Sequence, residues 1–341
     1  MHSHFVGLDV HKQVVAFCVK TADGNIVAEG TVKSTRAELD QWVKTVPEPW
    51  VGGMESTLFS HWIYYHLKQR GAELQMGHAA RMKAICSGKK KSDKIDARTI
   101  ADLLRCNMFP SCYVISPELG ALRRQMRFRR SVVNEQTRFK NSTAGLLMQA
   151  GVEYERRRLH GKRYFEELMR ANGWVEDAMR PLLKFNREQI ETLARMDKAL
   201  LRMLQKHPEL AARVAALTKI EAVGAVTALT WALETGTPKR FASIKKAQSY
   251  AGLTSAFWES AGKEKHGPIS KQRNAHLQSV LIEAAKLAPA HSEKLKAVYQ
   301  KSRAAGADEN VATLEVARKM VAYLLAADRA FFAQHEGAAA A

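Results

Sequence analysis

The chain has 341 residues, 46% of them hydrophobic, and 53 Lys and Arg against 34 Asp and Glu give a formal net charge of +19. That length holds one large core or two ordinary ones with a connector, and the apolar fraction excludes an intrinsically disordered chain. The charge points to a polyanionic partner, with nucleic acid ahead of an anionic membrane surface.

Residues 5–10 and 14–19 are β-rich runs around a short polar break, the turn signal Ala22-Asp23-Gly24-Asn25 follows, and 26–32 read as a third strand. A helix is expected over 35–43, closed before Pro47, then a short strand over 50–55, an aromatic-rich helix over 58–69 ended by Gly71, and a strand over 72–76. After a loop at 87–92, residues 93–104 read as helical. Three hairpin-joined strands followed by crossover helices and further strands predict a mixed sheet covered by helices, an order compatible with a ribonuclease-H-like core.

The middle of the chain changes texture. Residues 119–148 and 164–204 lack β-rich alternation and carry apolar residues at helical spacing, which fits long helices packed as a hairpin or as an intermolecular coiled coil. From about 210 to 330 come a helix–turn–helix-like passage at 212–233, a Gly- and Ser-rich polar loop at 260–270 and further helices, and the end from 333 reads as a frayed tail. The expected divisions are 1–115 (extending to about 150 in its longest form), 116–208, 209–332 and 333–341.

The most apolar C-terminal run, 321–332, is interrupted by Asp328 and Arg329 and is too short to span a bilayer. The N-terminal residues contain no basic leader followed by an apolar stretch, so a cytoplasmic, nucleoid-associated protein is expected. Cys18, Cys86, Cys106 and Cys112 form no C-x-x-C pair, which favours reduced thiols over a zinc site.

Four acids stand out. Asp9 shares a strand face with Phe5 and Gly7, and a carboxylate inside a central strand is unfavourable unless paired or metal-bound; the alternative is a strand-end Asp facing solvent. Glu55 closes another strand after two glycines, or simply caps the next helix. Asp93 and Asp96, three apart, fall on one side of a helix where a divalent cation would offset their repulsion; in the plainer reading Asp93 complements the helix macrodipole and Asp96 is solvated. Lys89, Lys90, Lys91, Lys94 and Arg98 surround the pair and would draw a phosphate backbone past it. Oxygen ligands suit Mg²⁺ or Mn²⁺ and phosphodiester chemistry.

Arg123, Arg127 and Arg130 can form one helical stripe of phosphate-binding forks, or a solvated face. Ser260 lies in a polar loop with Lys263, Lys265 and Lys271, where a hydroxyl could meet a phosphate, although most loop serines are structural. His11, His78 and His266 lack paired metal-ligand spacing and stay outside the assignment.

These segments resemble the DEDD transposases of the insertion-sequence-110 family, which includes the Piv DNA invertases. Gly7-Leu8-Asp9-Val10-His11-Lys12 is similar to its first-acid motif, Gly53-Met54-Glu55-Ser56-Thr57 to the second, and Lys91-Ser92-Asp93-Lys94-Ile95-Asp96-Ala97 to the last pair. Residues 241–253, Ser260-Ala261-Gly262 and Gly267-Pro268-Ile269-Ser270-Lys271 through Asn274 resemble the family's C-terminal block. The resemblance implies a RuvC-like N-terminal domain whose four acids hold divalent metal. It also implies a helical middle and a mostly α-helical transposase domain whose serine, here Ser260, attacks DNA to form a phosphoserine link. Its expected partners are double-stranded DNA (element ends and target), an element-encoded bridge RNA of the kind that directs some members, and further copies of the chain as a dimer or tetramer. Two departures are visible: Ala261 stands where Ser is common, and Ile220-Glu221-Ala222-Val223-Gly224 varies a Pro-Gly-x-Gly helix–hairpin–helix turn. The second reading is a RuvC-like structure-specific endonuclease using metal-activated water, and the third a basic nucleic-acid-binding scaffold with structural acids.

Overall fold

The computed structural model describes residues 3–85, 92–173, 175, 179–260 and 262–339. The chain divides into two compact units, Met1–Pro117 and Glu118–Ala341.

Unit 1 is a mixed α/β sheet. Strands β1 (His4–Val10), β2 (Val14–Thr21) and β3 (Ile26–Lys33) form an antiparallel meander, and β4 (Trp50–Glu55) and β5 (Glu73–Gly77) add in parallel on the other side of β1, giving the order β3-β2-β1-β4-β5. Being central, β1 is covered on both faces. Val6, Leu8 and Val10 pack into a core with Leu39 and Trp42 of α1 (Arg36–Trp42) and with Ile63 and Leu67 of α2 (Ser60–Lys68). On the opposite face Phe5 packs with Met82 of α3 (Ala79–Ile85) and with Ile100 and Leu104 of α4 (Asp93–Arg105). The α3 helix is an addition to the sequence reading.

Gly7 explains how closely α4 lies on the sheet. A Cβ at this position would sit 1.9 Å from the carbonyl oxygen of Ala97 and 2.6 Å from the amide of Ala101. Only a residue without a side chain lets that helix backbone rest on the strand.

Unit 2 is mostly helical. Helix α5 (Pro117–Gln149) runs antiparallel to α7 (Arg180–Gln205), because the cross-links descend on one as they ascend on the other: Arg129 to Asp197, Gln136 Nε2 to the Ile190 carbonyl (3.1 Å) and Asn186 Nδ2 to Ser142 Oγ (3.0 Å). The two long helices therefore make an intramolecular hairpin. Its tip is closed by α6 (Lys162–Ala171) around Leu147, Leu159, Leu168 and Leu183, so the single run expected over 164–204 is two helices.

The remainder packs α8 (Pro208–Leu217), α9 (Ala225–Thr235), α10 (Ile244–Tyr250), α11 (Ala275–Leu287), α12 (Glu293–Ala304) and α13 (Glu309–Ala339) about a core that includes Leu217, Trp231, Leu281, Met320 and Leu324. Asp328 within it is fully buried, receives both Nε and Nη2 of Arg213 (2.8 and 2.6 Å) and the Trp231 indole N–H (2.9 Å), and so meets the demand that a buried charge be paired. Between α10 and α11 the stretch expected to be a loop is a β-hairpin, β6 (Ser255–Ser260) with β7 (Lys263–Ile269). Among the described residues no helix is long and apolar enough to cross a membrane, and Cys18, Cys106 and Cys112 form no disulfide.

Candidate active site and nucleic-acid interface

Asp9 stands near the end of β1, on the face that α4 covers. The parallel register pairs Leu8 with Met54, so Glu55 on β4 occupies the neighbouring position one step on and shares that face. Across the seam, α4 begins with Ser92 as its cap, whose Oγ accepts from the Ile95 amide (3.3 Å), and Asp93 and Asp96 both fall in its first turn. The positive end of the helix dipole favours carboxylates there. Strand end and helix start thus converge.

His11 closes the convergence. Its Nε2 lies 3.1 Å from Asp9 Oδ2 and 3.4 Å from Asp93 Oδ1, and one ligand atom from each of the three residues falls within 4.8 Å of the others. Burial raises the Asp9 carboxyl above its ordinary value, His11 counters it by charge and hydrogen bond, and Asp96 and Asp93 raise it further by repulsion. A partly buried acid destabilised by two neighbouring acids is a site that a hard cation would relieve, so the residues present fit a divalent metal. The structure brings Asp9 and Asp93 together, places Asp96 within electrostatic reach, and leaves Glu55 on the adjoining strand end outside the tight set.

The surrounding cations divide. Lys89, Lys90 and Lys91 lie outside the described residues. Lys94 and Arg98 are both held by Glu29 of β3: Lys94 Nζ at 2.5 Å from Oε1, Arg98 Nε at 2.7 Å from Oε2 and Arg98 Nη2 at 2.9 Å from Oε1. Those hydrogen bonds, Arg98 first and then Lys94, pull the Glu29 carboxyl down to about 2. Beside them a cavity of about 480 Å³ is lined by Glu29, Gly30, Thr31, Ser92, Asp93 and Lys94, an opening that reaches Asp93 of the acid cluster and is bordered by Lys94.

The arginine stripe of α5 is turned partly inward. Arg127 forms a two-pronged pair with buried Glu234 (2.7 Å at both oxygens), and Asn274 donates to the same carboxylate (2.8 Å). Arg130 Nη1 donates to the Ala275 carbonyl (3.0 Å), and burial with neighbouring Arg127 lowers the Arg123 pKa. Neither a plain solvated face nor three free phosphate forks describes this stripe.

Ser260 ends β6 and is paired with Lys263 across the turn, where Gly262 has φ +74°. The side chains of Ser260, Lys263 and Lys265 lie outside what the structure describes; Lys271 is exposed just beyond β7. In the variant turn before α9, Ala222 does take the left-handed conformation, φ +64°, with the Val223 amide bonded to the Ile220 carbonyl (3.1 Å).

Two residues at the acid site lay outside the sequence assignment: His11, set aside for want of paired metal-ligand spacing, and Glu29. His11 follows Asp9 by two, the spacing that keeps both on one side of an extended chain, and that alternation was the available signal. Glu29 carried none, since its partners are 65 or more residues away.

A family model for transposases of the DEDD IS110 type matches residues 6–151, and one described as transposase, IS116/IS110/IS902 family, matches residues 214–300. The chain is similar to the Pseudomonas aeruginosa protein named "Probable family 20 transposase", with 26% identity over 291 residues covering 82% of each chain. It is also similar to the "Transposase for insertion sequence element IS1328" of Yersinia enterocolitica, with 23% identity over 307 residues covering 88% of this chain and 86% of that one.

Proposed function

The chain belongs to the IS110/IS116/IS902 transposase family and is a DNA-processing enzyme, and on that premise we propose that it recombines DNA through a metal-dependent acid site and a serine nucleophile. The observation that carries the reading is the meeting of Asp9 and Asp93, with His11 between them, at the seam of β1 and α4. The strand order β3-β2-β1-β4-β5, antiparallel then parallel, supports assigning unit 1 to the ribonuclease-H/RuvC-like folds.

In this reading Asp9, Glu55, Asp93 and Asp96 hold Mg²⁺ or Mn²⁺. The bound ion supplies Lewis-acid activation of the phosphodiester and charge neutralisation at the leaving oxygen. His11 orients Asp9 and keeps it from the full repulsion of Asp93. Lys94 and Arg98, steadied by Glu29, face the backbone phosphates. Ser260 Oγ forms a bond to phosphorus as the deoxyribose oxygen leaves; the serine proton is released and the leaving oxygen is protonated, so a phosphodiester becomes a phosphoserine ester. Double-stranded element ends and target are the substrates, and the family resemblance supports a bridge-RNA guide and a dimer or tetramer.

The test is strand exchange in Mg²⁺ with element ends, target and the adjoining noncoding RNA. Asp9→Ala and Asp96→Ala are expected to lower the rate by at least about 10³-fold, and Ser260→Ala to abolish both exchange and a protein–DNA adduct on denaturing gels. Metal-dependent cleavage with no adduct and indifference to Ser260→Ala would instead establish the water-using nuclease.

A further inference from the structure

Within unit 2, α5, the start of α9 and one face of α11 enclose a cavity of about 910 Å³. Val133, Val226, Val280 and Leu287 give it apolar wall, while Arg130 and Thr227 bring polar groups to it. Most of its charged lining groups are already matched: Arg127 with Glu234, Arg129 with Asp197, Lys286 with Glu283. Arg130 has no carboxylate partner among the described residues, and its Nη1 donates to the Ala275 carbonyl and to Nδ1 of His276 (3.3 Å). His276 accepts from a guanidinium, so its ring is neutral; burial, then Arg127, lowers its pKa against the opposing pull of Glu234, and Arg130 acts in the same direction. The cavity therefore keeps one unneutralised guanidinium.

Thr227 supplies the second observation. It is only 5% exposed, lines the cavity, and its hydroxyl has no hydrogen-bond partner among the described residues. Thr230, one turn on, returns its hydroxyl to the Val226 carbonyl (2.7 Å), the usual resolution for a threonine in a helix. A hydroxyl that opens onto a cavity without a protein partner is available to hydrogen-bond a ligand group there.

One cation, one unmatched hydroxyl and an apolar wall are the three elements that a nucleotide satisfies together: phosphate, base edge and base face. We propose that this cavity binds a single unpaired nucleotide of the DNA strand, its phosphate on Arg130, its base against the valine wall and a base-edge group hydrogen-bonded to Thr227. The proposal rests on the reading of the chain as a DNA recombinase and adds to it a site for one extruded nucleotide.

Calorimetric titration of the full-length protein with thymidine 5′-monophosphate, thymidine, inorganic phosphate and uridine 5′-monophosphate tests it. The deoxynucleotide is expected to bind at least about ten-fold more tightly than thymidine or phosphate. Arg130→Ala should weaken the nucleotide about ten-fold and leave thymidine unchanged, with Arg130→Lys recovering part of the loss. Thr227→Val, which preserves shape, should weaken nucleotide and thymidine alike by several-fold and leave phosphate unaffected. Equal binding of phosphate and nucleotide, or wild-type titrations from both variants, overturns the pocket. A ribonucleotide preference of about ten-fold overturns the DNA assignment. Should strand exchange proceed with the expected dependence on Asp9 and Ser260 while the nucleotide fails to bind, the pocket alone is lost. Should the nucleotide bind as expected while exchange ignores those residues, the enzymatic reading is lost instead.

Discussion

At Asp9, burial outweighs the stabilising contact with His11, and Asp96 and Asp93 add to the cost, so the carboxyl titrates above its ordinary value in the folded chain. The linkage follows directly: the native state holds this proton more tightly than the unfolded one, so stability falls as pH rises through that window and the penalty is fully present above it. Asp9→Asn removes the penalty. Without metal the variant should melt higher than wild type at pH 7 and equally at pH 3, and Mg²⁺ should raise the melting point of wild type but not of the variant. Glu29 has the opposite sign. Its folded value of about 2 lies below the ordinary 4.5, so its contribution is present above 4.5 and is lost as pH falls toward 2. Glu29→Gln should flatten the acid limb of the melting curve in that interval; an unchanged limb would show that Lys94 and Arg98 are solvated instead. The site was legible in sequence only where chemistry repeats locally. Asp93 and Asp96 announce themselves by spacing and Asp9 by its place in an apolar strand, whereas Glu29 acts through partners that only the folded sheet brings near.

At the scale of elements, the acid site depends on how tightly α4 rests on β1, and Gly7 sets that distance. Gly7→Ala would force a methyl to within 1.9 Å of the Ala97 carbonyl oxygen, a backbone atom that cannot turn aside, so the helix must lift. A loss of about 3 kcal/mol in denaturant unfolding is expected, at the upper end of ordinary overpacking, together with loss of recombination because Asp93 and Asp96 move with the helix. If Gly7→Ala unfolded like wild type, the close seam would be wrong. Strands and long helices could be read in advance because their apolar residues recur with a sustained period. The β6–β7 hairpin could not be seen this way. Its second strand is mostly polar and the sequence between the strands offers no Asn-Gly signal, so residues 260–270 looked like a loop. The α5–α7 pairing was also open, since an apolar stripe says that a helix needs a partner but not whether the partner lies in the same chain; Gln136 and Asn186 settle it by their contacts.

Over the whole molecule, the excess of +19 has to be divided between cations used internally and those free to meet phosphate. Arg213 is sealed against Asp328, Arg127 against Glu234, and Arg129 against Asp197, so these side chains hold unit 2 together. Their internal pairing removes as many acids as bases from the count, which is why the net charge survives it undiminished on the remaining surface. Exposed Lys271 and the partly free guanidinium of Arg130 belong to that remainder. A DNA-processing enzyme that engages on the order of six to ten phosphates releases a comparable number of counterions, so its duplex affinity should fall by roughly 10³-fold or more between about 50 and 200 mM salt. Anisotropy titrations of a labelled element end across that range measure the slope of log affinity against log salt. A slope shallower than about −3 would mean that few cations reach the backbone and that most of the excess charge serves solubility alone. Lys271→Ala should weaken binding similarly on element-end and unrelated duplexes and reduce the slope by about 1, since a single phosphate contact carries no sequence information.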